Sequence, residues 1–372
     1  MVAPPSHLHA PSPLHTAPVE AAFPLSGPDD LLAAAALAAD DAPAAVALAV
    51  AWGARLPLPG GDGTAARFDT LRAVARADLT AARVLEAHTD ALAIIAEAGA
   101  IAEVGRTVPA DSSWGVFAAE GPGAVLVARP EGVGHRLDGV KPWCSLGGLL
   151  DRALVTAHVA DGRQLFAVDL RHPGVRAAPA ERWAARGLQA VTSGPVEFTD
   201  VPATPVGPPG WYLQRPGFAW GGIGVAACWL GGVDGLVGTL LRTSRGRDGD
   251  LAALHVGIVD LARYAADRVL ADAARQIAAG QAAGDDGMLL AARVRGVVAD
   301  TVERVLQQVG HALGPAPLAF DAAHARRVAD LTLYVRQHHA ERDLAALGRD
   351  VQGRDVLSRD GSDQDVRGGG PA

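Results

Sequence analysis

The chain has 372 residues, 49% of them hydrophobic and 20% charged, with a formal net charge of −8. That length supports two or three domains with a sizeable core, and the acidic balance excludes a general nucleic-acid binder, which needs a basic surface. Cys144 and Cys228 are the only cysteines and give neither a disulfide framework nor a zinc spacing. No run approaches the ~20 apolar residues of a membrane span. The N-terminus has no basic segment followed by an apolar one, so a cytoplasmic protein with reduced thiols and no metal site is expected.

Residues 1–26 carry Pro4, Pro5, His7, His9, Pro11, Pro13 and His15 and read as a flexible arm, because prolines at that density prevent compact packing. Asp29 and Asp30 stand before the alanine-rich stretch from Leu31 to Leu37, the pattern of a helix N-terminus. A second helical run covers 44–54, and Pro57, Pro59, Gly60, Gly61 and Gly63 break it. Over 66–102 the apolar positions Phe68, Leu71, Ala75, Leu79, Ala82, Leu85, Leu92 and Ile95 recur at helical spacing, with Asp78 placed to cap a second helix. His88 shares that face and reads as a core or interface residue, since no cysteine or paired acid lies near it.

Near Ser113 the periodicity changes. The stretches 114–120, 124–129, 153–160, 164–170 and 196–203 are short, rich in valine and aromatics, and separated by turns such as Gly121-Pro122-Gly123 and Asp161-Gly162. They predict a β domain, a small barrel or sandwich, since no helical pattern is interleaved. After the linker containing Pro205, Pro208, Pro209 and Gly210, helical patterns run from about Phe218 to Gly348. In 251–280, Leu254, Ile258, Leu261, Ala265 and Val269 form one apolar face, and Arg263–Asp267 and Arg268–Asp272 form i,i+4 pairs on the other. In 288–313, Leu290, Val294, Val297, Thr301, Val305 and Val309 repeat the stripe, and a third long helix is expected from Ala322 to Leu347. Such helices bury their stripes against one another in an antiparallel bundle. The fold class is therefore α+β: an arm (1–26), an N-terminal helical domain (27–112), a middle β domain (113–206), a C-terminal antiparallel four-helix bundle (211–350) and a disordered polar tail (351–372).

The stretch Asp138-Gly-Val-Lys-Pro-Trp-Cys-Ser-Leu-Gly-Gly148 sets Trp143 and Ser145 two residues apart at the edge of the β domain. On an extended segment they share one side. An aromatic wall beside a hydroxyl suits a flat group with polar edge atoms.

In order and in motifs the chain resembles the acyl-CoA dehydrogenase family of flavoproteins. Asp138–Gly148 is similar to that family's NGxKxWITNG stretch, whose tryptophan packs against the flavin and whose threonine hydrogen-bonds its ring. Trp143 and Ser145 hold those places. Gly187-Leu188 followed by Val196-Glu-Phe-Thr-Asp-Val-Pro202 resembles the family's exit from the β domain, and Leu71 to His88 resembles an N-terminal helix pair of its bacterial branches. The match covers about residues 27–350. It implies bound FAD and an oxidoreductase acting on CH–CH groups in fatty-acid metabolism. An α-proton is abstracted while a hydride passes to flavin N5. An acyl-CoA is the implied substrate, an electron-transfer flavoprotein a candidate acceptor, and the assembly a homo-oligomer, a dimer or tetramer.

The chain departs from the family at three places. The TEPxAGSD loop reads Phe117-Ala-Ala-Glu-Gly-Pro-Gly123, with Ala119 where the cofactor-binding hydroxyl belongs. The segment that binds the FAD diphosphate across a subunit interface reads Arg245-Gly-Arg-Asp-Gly249, so Arg245 or Arg247 would pair with the diphosphate. The catalytic glutamate is missing. Aligning Asp330 with the family's RD puts His338 at its place, and the alternative position falls near Trp220. His338 and Glu341 are the candidate catalytic residues, with Asp343 nearby. Histidine is a competent base near neutral pH. The histidine-bearing stretch Gln337–Asp343 also resembles the C-terminus of flavin monooxygenases of this fold, where no α-proton base is required. Two alternatives to the dehydrogenase therefore stay open: a flavin-dependent monooxygenase or oxidase, and a non-catalytic subunit derived from the family.

Overall fold

The computed structural model describes residues 27–99, 109, 111–132, 134–244 and 249–367, with side chains through 354. It opens on α1 (Pro28–Leu37), α2 (Ala42–Gly53), α3 (Thr64–Ala77) and α4 (Leu79–Glu97). The caps are where the sequence puts them. The Asp30 carboxylate accepts from the Gly27 amide, and that of Asp78 accepts from the Ala81 amide at 2.9 Å. Phe68, Leu71, Ala75, Leu79, Ala82, Leu85 and Ile95 are buried, so the helical spacing marks the core face.

The β domain comprises β1 (Trp114–Phe117), β2 (Leu126–Glu131), β3 (Gly134–Lys141), β4 (Arg152–Val159), β5 (Gly162–Asp169), β6 (Val175–Ala177) and β7 (Val196–Val206). Pairing runs β4–β2–β3–β7–β5 and back to β4, a closed loop, with β1 parallel to β4 and β6 antiparallel to β7. Ala153, Val155, Phe166, Val168, Val196, Phe198 and Val201 pack in one buried cluster, and Leu154 on the other face of β4 packs with Ile94 and Trp114. His88, 4% exposed, ties the two regions together: its Nδ1 accepts the Trp114 amide at 3.2 Å, and burial pulls its pKa down to about 4, which keeps it a neutral acceptor.

The helices return with α5 (Trp211–Gln214), α6 (Pro216–Ser244), α7 (Asp250–Ala278), α8 (Gly284–Leu313), α9 (Ala316–Phe320), α10 (Ala322–Tyr334) and α11 (Glu341–Arg367). Helix α6 runs between α3 and α8, with Trp229, Leu230, Val233, Leu236 and Leu240 fully buried. It corrects one expectation. By length and composition it is apolar enough to cross a membrane, but 83% of its apolar window lies inside the protein, so it is the core helix of the bundle.

Four further expectations are corrected. The stripe read on α7 faces outward: Leu254 is 54% and Leu261 72% exposed, while Val259, Ala266, Leu270, Ala273 and Ile277 turn inward. The expected i,i+4 pairs on α7 do not form: Arg263 reaches Asp234 at 2.6 Å and Asp267 receives Arg72 at 2.6 Å, while Arg268 turns to Asp267 and Asp272 to Arg275 within the helix. The third long helix is two. Helix α10 ends at Tyr334, a 3₁₀ turn covers Val335–Gln337, Ala340 takes a left-handed φ of +45°, and α11 starts at Glu341. Helix α11 continues to Arg367, across the boundary at 350 where a tail was expected. Acidic residues in its first turn, Glu341 and Asp343, are the helix-start signal that a single long stripe obscured.

Candidate active site

Strand β3 ends at Lys141, and the next residues form a turn rather than the expected extended segment. The Cys144 amide donates to the Gly194 carbonyl at 2.9 Å and that of Leu146 to the Thr192 carbonyl at 2.7 Å. Cys144 and Leu146 are buried beneath. On either side of Cys144, Trp143 is exposed and Ser145 is half-buried. Trp143 pays for the turn with a φ of +59°, a conformation costing about 1–3 kcal/mol in a non-glycine residue. Its indole is 59% exposed beside Gly121. The Ser145 hydroxyl lies 2.8 Å from that of Ser193.

Beneath this edge Lys141, 2% exposed, donates to Glu120 at 2.7 Å and to Thr156 at 2.8 Å. Burial lowers its pKa and Glu120 opposes the shift, so the pair locks the end of β1 to β3. Ala119 is exposed next to Glu120 and offers no side-chain hydrogen bond.

On the helical side, Arg83 of α4 donates to Glu86 at 2.9 Å and reaches the Ser145 hydroxyl at 3.4 Å. Glu86 is 8% exposed and also receives the Tyr334 hydroxyl at 3.4 Å. Burial raises the Glu86 pKa, and the Arg83 charge opposes that. One guanidinium thus links the serine pair of the β domain to a buried carboxylate and to the end of α10.

After α10 the chain breaks before the next helix. His338 is 8% exposed beside Leu331 and Val335. Burial lowers its pKa; Asp343 opposes this, and Arg295, His339 and Arg336 add to it. The imidazole is accordingly neutral near pH 7. Asp343 accepts the His339 amide at 2.9 Å and lies 3.3 Å from its imidazole, so its carboxylate caps α11. Glu341 is exposed in the first turn of that helix. Trp220 donates its Nε1–H to the Ala282 carbonyl at 2.7 Å and supplies no base.

A latch sets the two sides in register. The Leu188 amide donates to Asp330 at 2.5 Å. Gly187 makes this contact possible, since a Cβ there would stand 2.0 Å from the Ala329 carbonyl oxygen.

The structure leaves Trp143 exposed and Ser145 half-buried on either side of Cys144, leaves Ala119 without a polar group, buries His338 and exposes Glu341. Arg245 and Arg247 lie outside the described residues. Sequence reasoning missed Arg83, Glu86, Ser193, Tyr334 and Arg295. Arg83 and Glu86, three apart on a helix, carry the same signature as a solvated surface pair, and only the tertiary packing distinguishes them. The exposed indole face and the hydroxyl pair at its edge fit a planar, apolar-faced ring with polar edge atoms.

No family model matches the sequence, and no curated protein matches it. Solved structures do. Butyryl-CoA dehydrogenase from Megasphaera elsdenii aligns with a TM-score of 0.72 at 16% identity, over 92% of this chain and 100% of that one. Dibenzothiophene monooxygenase TdsC from Paenibacillus sp. A11-2, also solved with FMN bound, aligns at 0.71 and 16% identity over 86% of this chain and 95% of that one. KijD3, in complex with FMN and a dTDP-linked amino-keto sugar, aligns at 0.71 and 18% identity over 91% and 94%.

Proposed function

The chain has the acyl-CoA dehydrogenase fold, and from that premise we propose that it is a flavin-dependent oxidoreductase whose flavin ring lies along the Trp143–Ser145 edge. The carrying observation is the exposed indole of Trp143, held at a φ of +59°, two residues before a serine whose hydroxyl pairs with that of Ser193. The flavin supplies two-electron redox chemistry when bound. Trp143 covers one ring face, and Ser145, oriented by Ser193 and Arg83, bonds a polar edge atom. Neutral His338 would hold or accept a proton at an imidazole nitrogen. FAD is the cofactor if Arg245 or Arg247 grips a diphosphate; FMN needs no such grip. The solved neighbours that hold FMN support a flavin here, and FMN over FAD.

For the reaction, the monooxygenase or oxidase reading is the better supported. Asp343 is committed as a helix cap, Glu341 faces solvent and His338 stands in place of the glutamate. A second reading, α,β-dehydrogenation of an acyl-CoA, rests on Glu86, a buried carboxylate one guanidinium away from Ser145. Its ion pair with Arg83 opposes its use as a base. The exposed leucines of α7, Leu251, Leu254 and Leu261, support a homo-oligomer in which a second copy covers them. Sizing chromatography tests that assembly.

The deciding experiment is the absorbance spectrum of the purified protein, the identity of the flavin released by heat, and anaerobic titration with acyl-CoAs. A yellow protein that acyl-CoAs leave oxidised, and that consumes oxygen when a reductase supplies electrons, is expected. Anaerobic bleaching by an acyl-CoA selects the dehydrogenase instead. A colourless protein with no released flavin returns the non-catalytic subunit.

A further inference from the structure

Arg72, Arg83 and Arg215 each face a carboxylate: Asp234 at 2.6 Å, Glu86 at 2.9 Å and Glu97 at 2.7 Å. Arg295 of α8 is held differently. Its guanidinium donates to the Gly222 carbonyl of α6 at 3.0 Å and to the Gln337 carbonyl at 2.8 Å, and it lies 4.8 Å from the ring centre of Trp229. Two carbonyls and a ring face hold the guanidinium, and no carboxylate among the described residues contacts it. The Asp343 carboxylate acts on Arg295 through space without forming an ion pair. The same indole carries a second unmet donor. Trp229 is fully buried, and its Nε1–H has no acceptor. Buried donors of this kind are rare, and each calls for a partner. Gly222 contributes no side chain here, and the Arg295 charge acts on the His338 imidazole. In this niche, where α6, α8 and the 335–340 break meet, Arg295 has no carboxylate in contact and the Trp229 N–H is unmet among the described residues.

We propose that Arg295 is a specificity-determining residue that binds a carboxylate of the substrate in this niche, beside His338. The Trp229 indole N–H is the nearby neutral donor. A planar guanidinium suits a carboxylate, and partial burial strengthens the pairing. The substrate is accordingly a small carboxylate-bearing molecule. This rests on the reading of the 335–340 break as the reacting side of a flavin site.

Sodium benzoate is the probe, and the His338 imidazole, followed by NMR, is the reporter. Arg295, Asp343, His339 and Arg336 are the charged groups facing that ring. Benzoate bound at Arg295 offsets a positive neighbour, so the His338 pKa is expected to rise on titration. Arg295→Met raises it without benzoate and weakens the benzoate response at least about tenfold. Arg295→Lys keeps the charge and retains a response. An equal benzoate response in Arg295→Met, or none in the wild-type protein, overturns the proposal. A response to inorganic phosphate with none to benzoate overturns the carboxylate assignment. Released flavin, quantified in the same samples, separates the two inferences: benzoate binding at Arg295 in a protein without flavin leaves the niche standing and removes the flavin reading.

Discussion

The two sides of the candidate site are held by different means. At the β-domain edge the backbone does the work: the amides of Cys144 and Leu146 are pinned to the carbonyls of Thr192 and Gly194, leaving Trp143 exposed and Ser145 half-buried. At the 335–343 break, side chains do it: Arg295 grips the Gln337 carbonyl, and Asp343 caps α11 through the His339 amide. A backbone-pinned edge keeps its shape when side chains are exchanged. A side-chain-held break changes shape with each substitution, so its chemistry varies more readily than the cofactor wall opposite.

That contrast can be tested at four points. The largest effect is expected from Gly187→Ala, which puts a methyl group against the Ala329 carbonyl and parts the two sides. It should destabilise the protein by about 3 kcal/mol in urea denaturation; a change under about 1 kcal/mol would mean that the latch is not rigid. Asp330→Asn comes next. Burial pushes the Asp330 pKa up to about 6. The folded state therefore holds its proton more tightly than the unfolded chain, and this group's contribution to stability is greatest below pH 4 and is lost as pH rises through 6. Asparagine keeps an acceptor for the Leu188 amide and carries no charge, so Asp330→Asn should be more stable by about 2 kcal/mol at pH 7, with the advantage vanishing below pH 4. An unchanged pH dependence of unfolding would rule this out.

Trp143→Ala should lower flavin retention about tenfold, since stacking of a flat ring on an aromatic is worth about 1–3 kcal/mol. Equal occupancy after dialysis would refute the assigned wall. The smallest effect on retention, within about twofold, is expected from His338→Ala, because the wall is on the other side; its signature should be a shifted pH profile of turnover. Loss of flavin in His338→Ala would break the division of labour between the two sides.

The sequence made the fold readable where one face of an element meets the core, as in α3 and α4. It failed on β3, whose Gly134-His-Arg-Leu-Asp-Gly-Val-Lys141 has only Leu137 and Lys141 buried and is held by pairing with β2 and β7 rather than by an apolar pattern. It failed on α7 for the opposite reason. A clean apolar stripe exists there and faces outward, because periodicity locates a face without saying what covers it. Trp143 and Ser145 were readable because they sit in a contiguous stretch. The Arg83–Glu86 and Arg295–Gln337 contacts join residues whose roles depend on packing between separate helices.

The bond between Leu188 and Asp330 spans 142 positions of sequence. During synthesis the β domain emerges long before α10, and its loop at Gly187 has no partner until then. The barrel is therefore free to form early, while the geometry facing Trp143 is completed late, by a docking step of high sequence separation. Flavin capture would then mark the end of folding rather than its beginning, and a chain halted before Asp330 would carry the wall for a ring it cannot enclose.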